Sequence, residues 1–163
     1  MAGAAKRWLI DKSALVKLPQ SEHRGYWNQQ IEASLVHLCF TSALEIGYSA
    51  RNAHDHHQIF TTVPLARMQL VHGGDAAESR ALEVQGLLAG RGHHRAPSIL
   101  DLLVAAAAEV LALTVLHDDK DFELIAEITG QPTQRLPNLA PEGAGEMLTL
   151  SHVFASTWLA VRG

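Results

Sequence analysis

The sequence predicts an α/β protein with a central, mainly parallel sheet and helices on both faces. Two observations lead to this fold class. Short apolar runs typical of buried strands alternate with segments of helical periodicity along most of the chain. Acidic residues end these runs or open the helices beside them, which is where functional groups gather at the carboxyl edge of a parallel sheet.

The composition fits one globular domain with a substantial core, because 47% of the 163 residues are hydrophobic and 18% are charged. The formal net charge of -4 excludes a basic field over the whole protein. Cys39 is the single cysteine and stands in an apolar run, so we expect a buried free thiol in a reducing compartment. No apolar run reaches the roughly 18 residues of a membrane span, and we expect a soluble cytoplasmic protein without a membrane partner.

In the first half of the chain, residues 7–10 form an apolar strand that ends at Asp11. A brief helix is expected after it, stopped by Pro19. Further on, the pattern predicts a helix over 21–35, a buried strand over 36–40, and a pair of helices over 43–53 and 56–66.

The second half contains the most regular helix of the chain, the alanine-rich stretch 98–112. Before it, the pattern predicts an extended piece over 71–75, a helix over 76–88 and a basic, histidine-rich loop over 90–97; after it come a strand over 113–117 and a helix over 122–128 closed by Gly130. From residue 137 onward the sequence is richer in proline and glycine, as is typical of a linker. We therefore divide the chain into a domain over residues 1–136 and a C-terminal segment over 137–163.

Four acidic positions stand where strands end or helices begin: Asp11, Glu45, Asp101 and the pair Asp119/Asp121. Taken singly, each is explained by helix capping, because a carboxylate accepts the free N–H groups of a first helical turn. Ser42 precedes Glu45 by three residues and Ser98 precedes Asp101 by three, which are two candidate capping boxes.

Asp101 argues for more than capping, because it stands in an otherwise apolar helix and a buried charge needs a partner. Arg51 or Arg95 would satisfy it in a structural ion pair. The alternative is a shared cation: carboxylates that converge on one crevice repel one another unless a divalent metal neutralises them, and all-oxygen ligands suit Mg²⁺ or Mn²⁺.

Four segments together resemble the PIN domain of VapC toxins, and the resemblance covers residues 7–135. They are LIDKSA (residues 9–14), TSALE (41–45), PSILDLLVAA (97–106) and HDDKDFE (117–123). The resemblance implies a three-layer α/β/α PIN-like fold and an endoribonuclease dependent on Mg²⁺ or Mn²⁺. The segment after residue 136 departs from the family, whose similar members finish soon after a last short strand.

The resemblance also implies roles for individual residues. Asp11, Glu45, Asp101 and Asp119 match the catalytic acidic quartet, and the expected metal ligands are Asp11, Asp101, Asp119 and Asp121. Ser13 matches a small polar residue that supports the first aspartate. Asp118 stands where a non-acidic residue is expected, which leaves open which acids of that turn contact metal.

The implied partners are an RNA such as tRNA or ribosomal RNA, a cognate antitoxin and a second copy of the chain. An RNA backbone requires positive side chains around the acids. The candidates near the motif segments are Lys12, Arg51, Arg91, Arg95 and Lys120.

Three other functions use the same residues differently. A catalytically silent PIN-like module would bind RNA or protein without cutting, although the intact acidic quartet disfavours this. A structural zinc protein would use the histidines at 54, 56, 57, 93 and 94, but no cysteine pair accompanies them. A DNA-directed nuclease would share the same chemistry.

Overall fold

The computed structural model of the protein describes residues 5–136, which form one five-stranded sheet and seven α-helices. The strands are β1 (Trp8–Ile10), β2 (Val36–Cys39), β3 (Gln69–Val71), β4 (Thr114–His117) and β5 (Thr133–Arg135). The helices are α1 (Lys12–Leu15), α2 (Arg24–Glu32), α3 (Phe40–Tyr48), α4 (Ala53–Thr61), α5 (Gly74–Gly90), α6 (Ile99–Val110) and α7 (Lys120–Thr129).

The sheet has the strand order β3-β2-β1-β4-β5, and every neighbouring pair is parallel. Strand β1 lies in the centre, with Ile10 opposite Leu38 on one side and Leu116 on the other. The chain first builds outward from β1 through β2 to β3 and then returns to place β4 on the other side. A parallel sheet opens a crevice at such a reversal, outside the carboxyl ends of the strands concerned.

Apolar side chains cover both faces of the sheet, which confirms the layered α/β/α arrangement. One core packs helices α5, α6 and α7 against side chains such as Leu9 and Val115. The other packs α1, α2 and α3 against side chains such as Ile10, Val36 and Leu116. Because successive strand residues point to opposite faces, the wholly apolar β1 supplies both cores, as expected for a strand buried on both sides.

The prediction for residues 43–66 was wrong in its boundaries. Helix α3 begins directly at Phe40 and ends at Tyr48, and α4 ends at Thr61 instead of continuing to residue 66. The cause of the break is local: the side chain of Asn52 accepts the Asp55 N–H at 2.9 Å, which starts a new helix. Since Cys39 is the N-cap of α3, Ser42 lies inside that helix and the predicted Ser42–Glu45 capping box does not form.

Several other expectations are confirmed. Ser98 and Asp101 form the predicted capping box of α6, and Gly130 closes α7 with a φ of 75°. The extended piece predicted at 71–75 lies earlier, at β3. Periodicity did not locate the short last strand, β5. The predicted C-terminal segment 137–163 lies outside the described residues.

Candidate acidic site

Asp11 occupies the crevice at the carboxyl end of the central strand. Its backbone N–H continues the sheet by donating to the Leu116 carbonyl at 2.9 Å, so the chain leaves β1 beside β4. Asp11 is also the N-cap of α1, because its Oδ2 accepts the Ser13 N–H at 2.8 Å. The capping prediction is therefore confirmed, and its carboxylate lies nearly buried, at 6% exposure.

Asp119 and Asp121 follow β4, the strand next to β1. Asp119 is the N-cap of α7, and its Oδ1 accepts the Asp121 N–H at 3.0 Å. A third residue fixes this turn: His117 is 1% exposed, and its Nδ1 accepts the Asp119 N–H at 3.2 Å. Burial lowers the pKa of His117 and so disfavours the charged ring, and accepting a hydrogen bond at Nδ1 requires that this nitrogen carry no proton.

Asp101 reaches the same edge by a different route. Helix α6 packs on β1 and β4, and its last turn leads directly into β4. A helix that precedes a parallel strand runs antiparallel to it, so the first turn of α6 lies at the carboxyl edge. Asp101 stands in that turn, where the Ser98 N–H donates to its Oδ2 at 2.8 Å and the positive end of the helix dipole favours its charge.

Glu45 comes from the second turn of α3, the helix that begins as soon as β2 ends. Its Oε1 accepts from Lys12 Nζ at 3.2 Å, and both side chains are about one-third exposed, at 33% and 30%. We call Asp11, Glu45, Asp101, Asp119 and Asp121 the acidic group. The members come from four separate segments and meet at the crevice of the sheet.

The pKa shifts record this convergence. Burial raises the pKa of Asp11, and the charge of Glu45 adds to that effect, although hydrogen bonds from Ser13 oppose it. Burial also raises the pKa of Asp101, with further contributions from the charges of Asp11 and Asp119. The pKa of Asp121 is raised by burial and by the charges of Asp119 and Asp101. Like charges therefore lie close enough to disfavour joint ionisation.

Asp118 has a different environment, although it adjoins Asp119. Its carboxylate accepts from Lys17 Nζ and, at 3.0 Å, from Arg135 Nε, and Arg135 also donates to Glu123. Its backbone N–H donates to Ser13 Oγ at 3.0 Å. Hydrogen bonds from Lys17 are the main reason that the pKa of Asp118 is lowered. We call this set the Asp118 network, and two cations neutralise its central acid.

The predicted RNA-binding side chains fall into two sets. Lys12 and Arg51 are engaged by acids, Lys12 by Glu45 and Arg51 by Asp55. Arg91, Arg95 and Lys120 are exposed: the arginines lie in the loop before α6, and Lys120 opens α7. In the described chain, no arginine or lysine forms an ion pair with Asp101, so the structural alternative of pairing with Arg51 or Arg95 is not realised.

The acidic group fits a divalent metal in the chemistry of its donors, which are all carboxylate oxygens that repel one another. The side chains do not stand as a finished cage: within residues 5–136, no group of three or more His, Cys, Asp or Glu side chains could hold a metal ion as placed. The same finding covers the histidines of the zinc alternative. Of these, His54, His56 and His57 are exposed along α4.

Three residues of this region were not predicted from the sequence as parts of it: His117, Lys17 and Arg135. The signal for His117 was a titratable residue at the end of a strand in which all four residues are buried. The signal for the other two was Asp118 itself, an acid where the resemblance implies a non-acidic residue, which needed cations of its own. In the described part of the chain, no helix is long and apolar enough to cross a membrane.

Comparison with known proteins places this arrangement in context. The family model of the PIN domain matches residues 8–128. The chain is 52% identical over 136 residues to Ribonuclease VapC2 of Mycobacterium tuberculosis strain CDC 1551 / Oshkosh, covering 83% of this chain and 96% of that protein. It is 40% identical over 130 residues to Ribonuclease VapC51 of Mycobacterium tuberculosis strain ATCC 25618 / H37Rv, covering 80% of this chain and 93% of that protein. In fold, it resembles DNA-bound VapBC from Salmonella typhimurium, with a TM-score of 0.64 at 18% identity over 81% of this chain and 99% of that one.

Proposed function

Since the chain belongs to the PIN-domain family, we propose that it is the toxin of a type II toxin-antitoxin system and acts as a Mg²⁺- or Mn²⁺-dependent endoribonuclease. The relatives named as VapC ribonucleases support this, because the match extends over nearly their whole length. The observation that carries the proposal is the convergence of the acidic group at the crevice between β1 and β4. Burial raises the pKa of Asp11, Asp101 and Asp121, and neighbouring carboxylates add to each shift, as expected of a site prepared for a cation.

The acids would have different roles in metal binding and catalysis, according to their positions in the site. Asp11 and Asp101 would be direct metal ligands, because both are desolvated and fixed by backbone N–H groups. Asp119 and Asp121 would complete the ligand set from the neighbouring turn, directly or through water. Glu45 is held farther along α3 and would orient or activate the attacking water. A bound divalent cation would supply a nucleophilic water at neutral pH and relieve charge on the phosphorane-like transition state.

The protein itself would supply geometry. Ser13 keeps the Asp11 carboxylate in place through its N–H, and neutral His117 fixes the backbone of Asp119. Arg91, Arg95 and Lys120 are exposed next to the segments that carry Asp101 and Asp121, and we assign them to the RNA phosphates. The substrate would be a structured RNA such as tRNA or ribosomal RNA.

The proposal includes two protein partners, a cognate antitoxin and a second copy of the chain. For the homodimer, Phe40, Leu44 and Tyr48 form an apolar stripe along one side of α3, 49%, 61% and 93% exposed. Leu44→Arg should convert the dimer to a monomer in size-exclusion chromatography with light scattering. Leu82→Arg, the same change at a residue of α5 that is 71% exposed, should leave the dimer intact.

Cleavage of a labelled total-RNA pool tests the proposed activity. The purified chain should cut RNA with Mn²⁺ or Mg²⁺ and stop when EDTA is added. Asp101→Asn retains an oxygen for the cap of α6 but removes the charge, and it should reduce cleavage about 100-fold or more. A folded, Mn²⁺-binding protein that cuts no RNA would favour the silent binding module instead.

A further inference from the structure

Lys12 lies within the acidic group, not among the exposed cations at its rim. Its residue follows Asp11 directly and opens α1, and its Nζ is 3.2 Å from Glu45 Oε1 on α3. The two residues are 33 positions apart, so the ion pair joins two separate motif segments across the site. A side chain whose role was only to meet RNA phosphate would gain nothing from this contact.

The ion pair gives the group an internal cation at one point only. In the described chain, Asp11, Asp101, Asp119 and Asp121 have no ion pair with any lysine or arginine, whereas Glu45 has Lys12. Among the five acids of the acidic group, Glu45 therefore has its charge balanced by a side chain of the protein itself, the Lys12 ammonium. The long stem of Lys12 is partly exposed, at 30%, which allows the ammonium to swing toward solvent at little cost.

A divalent cation among the other four carboxylates would repel a neighbouring ammonium, and it would compete for the Glu45 carboxylate. We propose that Lys12 is a positioning residue which holds Glu45 in the metal-free protein and releases it when the metal binds, so that the freed ammonium contacts RNA phosphate. This inference rests on the proposed metal-dependent activity. It adds a coupling: metal loading would itself expose one cation to the substrate.

The coupling predicts effects of opposite sign on two ligands. Without the ammonium, nothing competes for Glu45, so Lys12→Met should bind Mn²⁺ more tightly, by about two- to fivefold for the loss of one partly exposed pair. The same variant should bind RNA more weakly, with a higher KM, a nearly unchanged kcat and a salt dependence reduced by about one phosphate contact.

Mn²⁺ binding to the full chain, followed without RNA by the electron paramagnetic resonance signal of free Mn²⁺, is the first test. Lys12→Arg should behave like the wild type. Lys17→Met is the matched control, because it removes the same charge five residues later, from a lysine that pairs with Asp118, and should leave Mn²⁺ affinity unchanged. In a Glu45→Gln background the effect of Lys12→Met should disappear, because the acid that Lys12 releases is gone.

Unchanged or weaker Mn²⁺ binding by Lys12→Met would overturn the inference and leave the nuclease proposal standing. Equal tightening by Lys12→Met and Lys17→Met would also overturn it, since total charge would then explain the result. A folded wild-type chain that binds no Mn²⁺ at millimolar concentration would instead overturn the metal-dependent function, and this inference with it.

Discussion

Asp118 and Asp119 are neighbours in the chain, yet they belong to regions with opposite electrostatics. Asp118 faces Lys17 and Arg135, and its pKa is lowered. Asp119 faces the acidic group, where its charge helps to raise the pKa of Asp101 and Asp121. The backbone turn after β4 directs the Asp118 carboxylate toward Lys17 and Arg135, and the Asp119 carboxylate toward the crevice of the sheet.

The difference in electrostatic surroundings means that the ionised Asp118 stabilises the fold, whereas ionised carboxylates of the acidic group destabilise it. A carboxylate between two cations is more favourable in the folded protein than in the unfolded chain. Carboxylates that lie close together without cations are less favourable in the folded protein than in the unfolded chain. Proteins retain such unfavourable interactions where a site binds a ligand or performs a reaction. Asp118 therefore stabilises the fold, whereas the acidic group carries a cost in stability that is expected if it holds the proposed metal.

Replacing each neighbour in turn tests this division most directly. Asp119→Asn should reduce metal-dependent RNA cleavage by about 100-fold, because it removes a metal-binding charge. Asp118→Asn should change cleavage only a few-fold, since its carboxylate is occupied by cations. Single-turnover cleavage at saturating Mn²⁺ measures both variants. Equal losses of activity would mean that Asp118 also belongs to the site.

The stability of the metal-free protein should respond to pH with opposite signs in the two regions. The folded pKa of Asp101 is raised, so its ionisation costs stability as pH rises above about 4. Asp101→Asn should therefore be more stable than the wild type at pH 7 and equal to it in acid.

The folded pKa of Asp118 is lowered, so its ionisation adds stability above about pH 4 that is lost on acidification. Asp118→Asn should be less stable at pH 7 by about 1 kcal/mol, because solvent screens its half-exposed partners, and the gap should close in acid. Urea unfolding in EDTA from about pH 2 to about pH 8 measures both gaps, because they close below the unfolded pKa of about 4. A stabilised Asp118→Asn would contradict the comparison.

Ser13 connects the two regions, and its loss should have the smallest effect. Its N–H donates to Asp11 and its Oγ accepts the Asp118 N–H. Ser13→Ala removes the hydroxyl, which accepts the Asp118 N–H and also hydrogen-bonds to the Asp11 carboxylate, so we expect a loss of about 0.5–1 kcal/mol and a modest decrease in cleavage. Ser13→Thr retains the hydroxyl and is the control for thermal unfolding. A destabilisation by Ser13→Thr as large as that by Ser13→Ala would argue against the hydroxyl contact.

Local signals in the sequence determined the strands β1, β2 and β4, because each is a run of buried residues. They also determined the helix α6, because its apolar sequence follows a capping box. They failed where local patterns were weak or ambiguous. Strand β5 has three half-buried residues at the sheet edge, so no apolar run marks it. At α3, the chain enters the helix directly from β2, and Ser42 gave a false capping signal.

The sequence by itself also determined that Asp11, Asp101 and Asp119 stand at a strand end or a helix start, since that depends on neighbours along the chain. It was wrong for Glu45, which lies in the second turn of α3. Only the tertiary structure decided which cation meets which acid. The pairs Lys12–Glu45 and Arg135–Asp118 join residues from different elements, and their choice follows from strand order and helix direction. Charges act through space and fall off over a few ångströms, so their partners are set by the fold and not by spacing in the chain.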